Sequence, residues 1–308
     1  VQFDLFPPPP LDTAADAALA AKRPAGLYLG TSSWTFRGWA GLVYRGTPSQ
    51  EELVRRGLEE YARHPLFNTV GIDRSFYAPL TREELAGWAQ QLPEGFRCLM
   101  KVWSQVTSPV DLRTRAPNPH FLDPGFFKEA VLAPVEEAFA DHLGPLLLQL
   151  PPLGRGELPR PQRFAQQLDR FFSALPRGLQ WAVELRNVEL LTPLYLETLA
   201  RHGAAHVFNH WERMPPLRHQ LEVPGTLTAG HVVCRLMLPQ GVGYEQAREA
   251  FAPFDRLQAI DEEMRADVVA LWRACRAAGR SLTVIVNNKA EGSSPLTVRA
   301  LLERLTSA

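Results

Sequence analysis

Apolar runs of strand length punctuate the chain at Leu27–Gly30, Phe67–Ile72, Phe96–Val102, Leu146–Leu150, Gln180–Leu185, Ala204–Phe208, His231–Leu236 and Leu282–Val286. Each is nearly continuous in apolar residues, the pattern of a parallel strand buried on both faces. They begin about 36 residues apart on average, close to the length of a βα unit in a barrel. Helix patterns with recognisable start signals fill the intervals. Ser49 with Glu52 and Thr81 with Glu84 form capping boxes, while Asp123-Pro124, Thr192-Pro193 and Ser294-Pro295 each set a capping side chain before a proline at the first helical position. Eight such units predict an α/β fold, a single TIM-type (β/α)8 barrel over residues 26–308. The rival is an open doubly wound sheet, but no GxGxxG or P-loop follows the first run, which favours closure.

Residues 1–25 have a different character: a short apolar cluster, the prolines Pro7 to Pro10, then an Ala-rich stretch. The proline run favours polyproline conformation and predicts an extended N-terminal arm outside the core.

In a barrel of this kind chemistry gathers at the carboxyl ends of the strands, so the polar residues that end each run are the candidates. They are Thr31, Ser32 and Trp34, then Asp73, Lys101, Gln149, Glu184 with Arg186, Arg235, and finally Asn287 with Asn288. Lys101, Arg186 and Arg235 come from three strands, and three cations around one mouth repel unless carboxylates or an anionic ligand compensate them. Glu184 and Arg186 are two residues apart and share a face of their strand. Trp181, Val183 and Leu185 take the opposite parity, which points Glu184 and Arg186 inward. The same charges read equally well as a structural ion-pair network closing the barrel top. Glu184 and Asp73 are the candidate general bases.

Composition narrows the setting. Hydrophobic residues make up 45% and charged residues 21%, and Lys plus Arg equals Asp plus Glu at 33 each, so no overall positive field draws the chain to nucleic acid or membrane. Contact with a polyanion must be local. Cys98, Cys234 and Cys275 form no CxxC pair, no apolar run approaches a membrane span, and the N-terminus lacks a signal-peptide pattern. The expectation is a cytoplasmic protein. No organic-cofactor motif is present, no HxxxH spacing points to a metal although a divalent ion is compatible with the carboxylates, and no GxSxG elbow suggests a serine hydrolase.

The segments GTSSWTFRGW (Gly30–Trp39), FNTVGIDRSFY (Phe67–Tyr77), FRCLMKV (Phe96–Val102), LGPLLLQLPP (Leu143–Pro152), AVELRN (Ala182–Asn187) and VNNKAEGSSP (Val286–Pro295) resemble, in this order, the YecE-like family, also called domain of unknown function seventy-two. The resemblance implies a TIM-type barrel from Gly26 to the C-terminus and supplies no reaction. It carries recurring polar positions onto Thr31, Ser32, Trp34, Lys101, Gln149, Glu184, Arg186, Arg235, Asn287 and Asn288. The chain departs from the family pattern at Gly71, Asp73 and Asn187, where Glu, Asn and His are expected, and near Met237, where a histidine is missing.

At the N-terminus, Gln2-Phe3-Asp4-Leu5-Phe6 resembles the pentapeptide by which bacterial repair and replication proteins bind the sliding clamp, with Gln2, Leu5 and Phe6 as the contacts. The alternative is that these apolar residues pack on the barrel bottom. Together the features point to a hydrolase or lyase acting on a phosphate-bearing substrate, with DNA or a nucleotide as candidates and the clamp as recruiting partner. Lys101, Arg186 and Arg235 would hold the anion, and Gln149, Asn287 and Asn288 would orient the substrate. The alternatives are a carbohydrate or sugar-phosphate enzyme and a non-catalytic anion-binding module.

Overall fold

The computed structural model describes residues 11–239 and 241–307. Eight strands form in the predicted places: β1 (Leu27–Thr31), β2 (Thr69–Ile72), β3 (Arg97–Lys101), β4 (Leu143–Gln149), β5 (Trp181–Glu184), β6 (Ala205–His210), β7 (His231–Leu236) and β8 (Ser281–Val286). All laddered pairs are parallel, and the hydrogen-bonded order runs β1-β8-β7-β6-β5-β4-β3-β2. A TIM-type α/β barrel results, with helices around it and the ladder interrupted between β1 and β2.

Side chains stitch that interruption. Asn68 acts like an extra backbone amide: its Oδ1 accepts from Leu29 N at 2.8 Å and its Nδ2 donates to Leu27 O at 3.0 Å. The Tyr61 hydroxyl accepts from Thr31 N at 2.9 Å and donates to Thr69 O at 3.2 Å. Glycine lets the two strands approach, since a Cβ on Gly30 would stand 2.0 Å from Thr69 O.

Alternation along the strands separates two cores. Outward residues such as Trp181 pack against Phe127, Phe171 and Phe172 on the surrounding helices. Inward, Leu99, Leu147, Ala182, Ala205, Val207, Val233 and Ile285 form a compact apolar cluster inside the barrel, all buried. Burying such side chains stabilises by roughly 1.5–3 kcal/mol for each large one.

The helix starts follow the sequence signals with one exception. Both capping boxes are complete: the Ser49 and Thr81 side chains accept from Glu52 N and Glu84 N, and the glutamates return the bond. Asp123 and Thr192 also cap their helices. Ser294 does not. It belongs to the helix Ser294–Leu305, and its hydroxyl donates to Asn288 Oδ1 at 2.7 Å instead.

The expected extended arm over residues 1–25 needs correction in its second half. Ala14–Ala20 form a helix, as an alanine run favours when a tertiary anchor is available. The anchor is Asp16, buried and paired with Arg299 of the last helix at 2.7 Å. Arg23 adds bonds to the carbonyls of Pro65 and Leu66 at 3.0 and 2.8 Å. The clamp-like residues Gln2, Leu5 and Phe6 lie outside the described residues.

Candidate functional site

Two residues beyond the last inner apolar residue of six strands, the same inward positions turn polar. Leu99 leads to Lys101, Leu147 to Gln149, Ala182 to Glu184, Val207 to Asn209, Val233 to Arg235 and Ile285 to Asn287. Period-two geometry therefore sets a polar layer on the apolar one at the carboxyl ends of the strands.

Arg235 is the hub of this layer. It is fully buried, and its Nη1 donates to Glu184 Oε2 at 2.5 Å and to Gln149 Oε1 at 2.9 Å. Its Nη2 reaches Asp73 Oδ1 at 3.2 Å. Asp73 in turn meets Lys101 Nζ through Oδ2 at 3.0 Å. On the other side, Arg186 Nη2 lies 2.5 Å from Glu184 Oε1 and 3.4 Å from Gln149 Oε1. The guanidinium of Arg186 also stacks on Trp211, 4.5 Å from the ring centre. Lys101, Arg186, Arg235, Glu184, Asp73 and Gln149 thus converge in one cluster at the barrel mouth.

Burial and charge act against each other here. Desolvation raises the Glu184 carboxyl, but Arg186, Arg235 and Lys101 outweigh it and hold the group below the ordinary carboxylate range. Both Glu184 oxygens face guanidinium groups. Burial lowers Lys101 to about 8 although Asp73 opposes it, with Arg235 pushing the same way as burial. Arg186 falls to about 10, again chiefly through burial. For Arg235, the carboxylates of Glu184 and Asp73 overcome burial and raise the guanidinium. Asp73 is the member open to solvent, with its side chain 23% exposed.

Other predicted site residues have other places. The Thr31 hydroxyl donates to Ser33 O at 2.7 Å and lies 2.9 Å from the Tyr61 hydroxyl, so it joins the β1/β2 interruption. Ser32 Oγ accepts from Asn287 Nδ2 at 3.0 Å, linking the ends of β1 and β8. Asn288 Oδ1 accepts from Trp39 Nε1, Ser294 N and Ser294 Oγ, holding the last βα turn. Trp34 is buried edge-to-face against Trp88 and lines a cavity of about 450 Å³ with Val54, Ile72 and Gly87, which touches the charged cluster only through Asp73. Asn187, at a position where the family resemblance expects histidine, pairs with both backbone groups of Leu153. Gly71 has no side chain to offer, and a Cβ there would sit 3.2 Å from Ile285 Cγ2.

Trp211 was not among the sequence candidates. Its signal was its position one residue past β6, where an aromatic ring can meet the neighbouring Arg186. A groove of about 1080 Å³ between residues 109–121 and the helix Pro161–Ser173 contains none of the charged cluster. Among the described residues, no group of three or more His, Cys, Asp or Glu side chains is placed to hold a metal ion.

With this geometry established, similarity to known proteins can be stated. The family model described as "Protein of unknown function DUF72" matches residues 28–308. A DUF72 family protein of Enterococcus faecalis is similar in structure, with a TM-score of 0.62 at 20% identity, covering 92% of this chain and 96% of that one. Another, from Thermotoga maritima, has a TM-score of 0.58 at 19% identity and covers 92% and 99%. At these identities the likeness concerns the fold. No curated protein matches the chain.

Proposed function

We propose, from the premise that this chain belongs to the DUF72 family of proteins of unknown function, that its barrel mouth is the site of an enzyme acting on a phosphate-bearing substrate. The observation that carries the reading is a charge excess. Three cations, Lys101, Arg186 and Arg235, share two carboxylates, Glu184 and Asp73, in a buried cluster at the strand ends. A surplus positive charge away from water is costly, and an anionic ligand neutralises it.

Roles follow from what each group already touches. Arg235 is held through both Nη atoms by Glu184, Gln149 and Asp73, so it orders the cluster, although its Nε, like that of Arg186, has no hydrogen-bond partner. Arg186 makes one close charge contact and a 3.4 Å bond to Gln149, and its Nε has no hydrogen-bond partner. It is the cation free to take a phosphate oxygen, with Trp211 fixing its plane. Glu184 orients the two guanidiniums. Asp73, partly open to solvent and touching Lys101, handles the proton.

A hydrolase or lyase on a phosphate-bearing compound is the class that fits. The clamp partner expected from Gln2, Leu5 and Phe6 has no support within the described residues, and neither does DNA as the polymer. The buried free thiols Cys98, Cys234 and Cys275 support a reducing, cytoplasmic setting.

The test is calorimetric titration of inorganic phosphate into the protein and into Arg186→Ala. Loss of a charge-assisted contact should cost about 1.5–3 kcal/mol of binding, and the cost to folding should be the smaller of the two because Arg235 still neutralises Glu184. Unchanged phosphate binding with a large drop in melting temperature would establish the cluster as a structural ion-pair network.

A further inference from the structure

The chain contains four lysines, Lys22, Lys101, Lys128 and Lys289, among 33 Lys plus Arg. Arginine therefore carries almost all of its positive charge. Lys22 and Lys128 are exposed on the surface, and Lys289 is buried with its ammonium over the Tyr244 ring at 4.2 Å. Lys101 is different: it ends β3 in the same inward layer as Gln149, Glu184 and Arg235, and it is 4% exposed.

An arginine at this place could pair with Asp73 as well as a lysine does, but it could not lose its proton or form a bond to carbon. Burial in apolar surroundings beside a second cation is the arrangement that makes a lysine amine nucleophilic at neutral pH. Lys101 has both: it is buried at the end of β3, and Arg235 is held on the same Asp73 carboxylate. Asp73 supplies a proton acceptor 3.0 Å from Nζ and a path to solvent.

We infer that Lys101 is a covalent nucleophile that forms an imine with the carbonyl group of a phosphate-bearing aldehyde or ketone. The inference rests on the phosphate-site reading above and names the substrate class of that site. In the step, the Nζ lone pair attacks the carbonyl carbon, the C–N bond forms, and the carbonyl oxygen takes up a proton. The carbinolamine then loses that oxygen as water as the nitrogen gives up its proton, so amine plus carbonyl becomes imine plus water with no change of oxidation state. Asp73 relays the proton from Nζ to the departing oxygen. Arg186 holds the phosphate, and Glu184 keeps Arg186 and Arg235 in place. The lowered basicity of Lys101, about 8, leaves a useful fraction of neutral amine near neutral pH.

The experiment treats the whole chain with glycolaldehyde phosphate and cyanoborohydride, which reduces an imine to a stable secondary amine, and locates the label by peptide mass spectrometry. Lys101 should carry most of the label at pH 7.5, with at least tenfold less on Lys22 and Lys128. Glycolaldehyde without phosphate should label Lys101 at least tenfold more slowly, and inorganic phosphate should compete. Lys101→Arg keeps the charge beside Asp73 and should remove the label while the melting temperature holds. If inorganic phosphate binds by calorimetry but Lys101 stays unlabelled, the imine is overturned and the phosphate site stands. If phosphate does not bind either, both readings fall. Equal label on all accessible lysines also overturns the inference.

Discussion

Two layers of the barrel interior lie two residues apart on the same strands. The lower layer, with Leu99, Leu147, Ala182, Val207, Val233 and Ile285, is apolar and buried. The upper carries charge, and its Lys101, Glu184 and Arg235 are almost as buried, with Gln149 half-buried beside them. In the lower layer a side chain's worth is set by its volume and by how well neighbours close around it. In the upper layer it is set by who holds the opposite charge, because an unpaired ion in that place is far more costly than a missing methyl. Equal depth thus has two different meanings, and function is possible only where burial leaves something unsatisfied.

The strongest way to break this comparison is Glu184→Gln. Its two guanidinium partners would remain buried with only Asp73 to share, and the expected loss is about 3–5 kcal/mol in urea unfolding. A loss below about 1 kcal/mol would show that water or rearrangement relieves the upper layer and that its burial is nominal.

His206 sharpens the contrast by acid. It lies on β6 with outward parity, and burial, opposed by Gln220 and Glu184, lowers it to about 4. Its Nδ1 meets the Tyr195 hydroxyl at 3.2 Å. Since its folded pKa is below the unfolded value, the unfolded chain binds more protons between pH 6.5 and about 4, and stability falls as pH drops through that window. The expected loss from His206 is about 3 kcal/mol across the window, and that share should be missing in His206→Gln, while His64 and His231, also lowered by burial, keep theirs. Denaturant unfolding at pH 7 and pH 4.5 for both proteins measures it, and an equal slope in the two would refute the assignment.

The smallest effect belongs to the lower layer. Ile285→Val removes one methylene from the inner apolar cluster and should cost about 0.5–1.5 kcal/mol without altering phosphate binding. A change in phosphate affinity would mean that packing below transmits to the charges above.

The strands were legible because continuous apolar runs have few other uses in a chain of this composition, and each of the eight is within three residues of its expected bounds at both ends. The inward parity of Glu184 and Arg186 was legible for the same reason, with Trp181 and Val183 fixing the outer face. Partners were not. Periodicity says that Lys101 and Asp73 are on neighbouring strand ends, but which oxygen meets which nitrogen depends on barrel shear and rotamers. Thr31 and Asn288 look like site residues in sequence because small polar side chains serve a turn or a strand edge as readily as a ligand. Asn68 and Tyr61 gave no warning, since their role exists only once two distant segments adjoin. The Ala14–Ala20 helix was obscured by the prolines ahead of it, and its anchor, Arg299, stands at the other end of the chain.

The stitched interruption between β1 and β2 has a consequence for inheritance. A backbone ladder survives almost any substitution, because every residue but proline brings its own donor and acceptor. Here the last edge of the cylinder is closed by one amide and one phenol, at positions 68 and 61, with a single backbone bond from Asn68 N to Leu29 O beside them. Closure of the cylinder therefore depends on the identity of two side chains to a degree that none of its laddered edges does, and substitutions at these two positions bear on it directly.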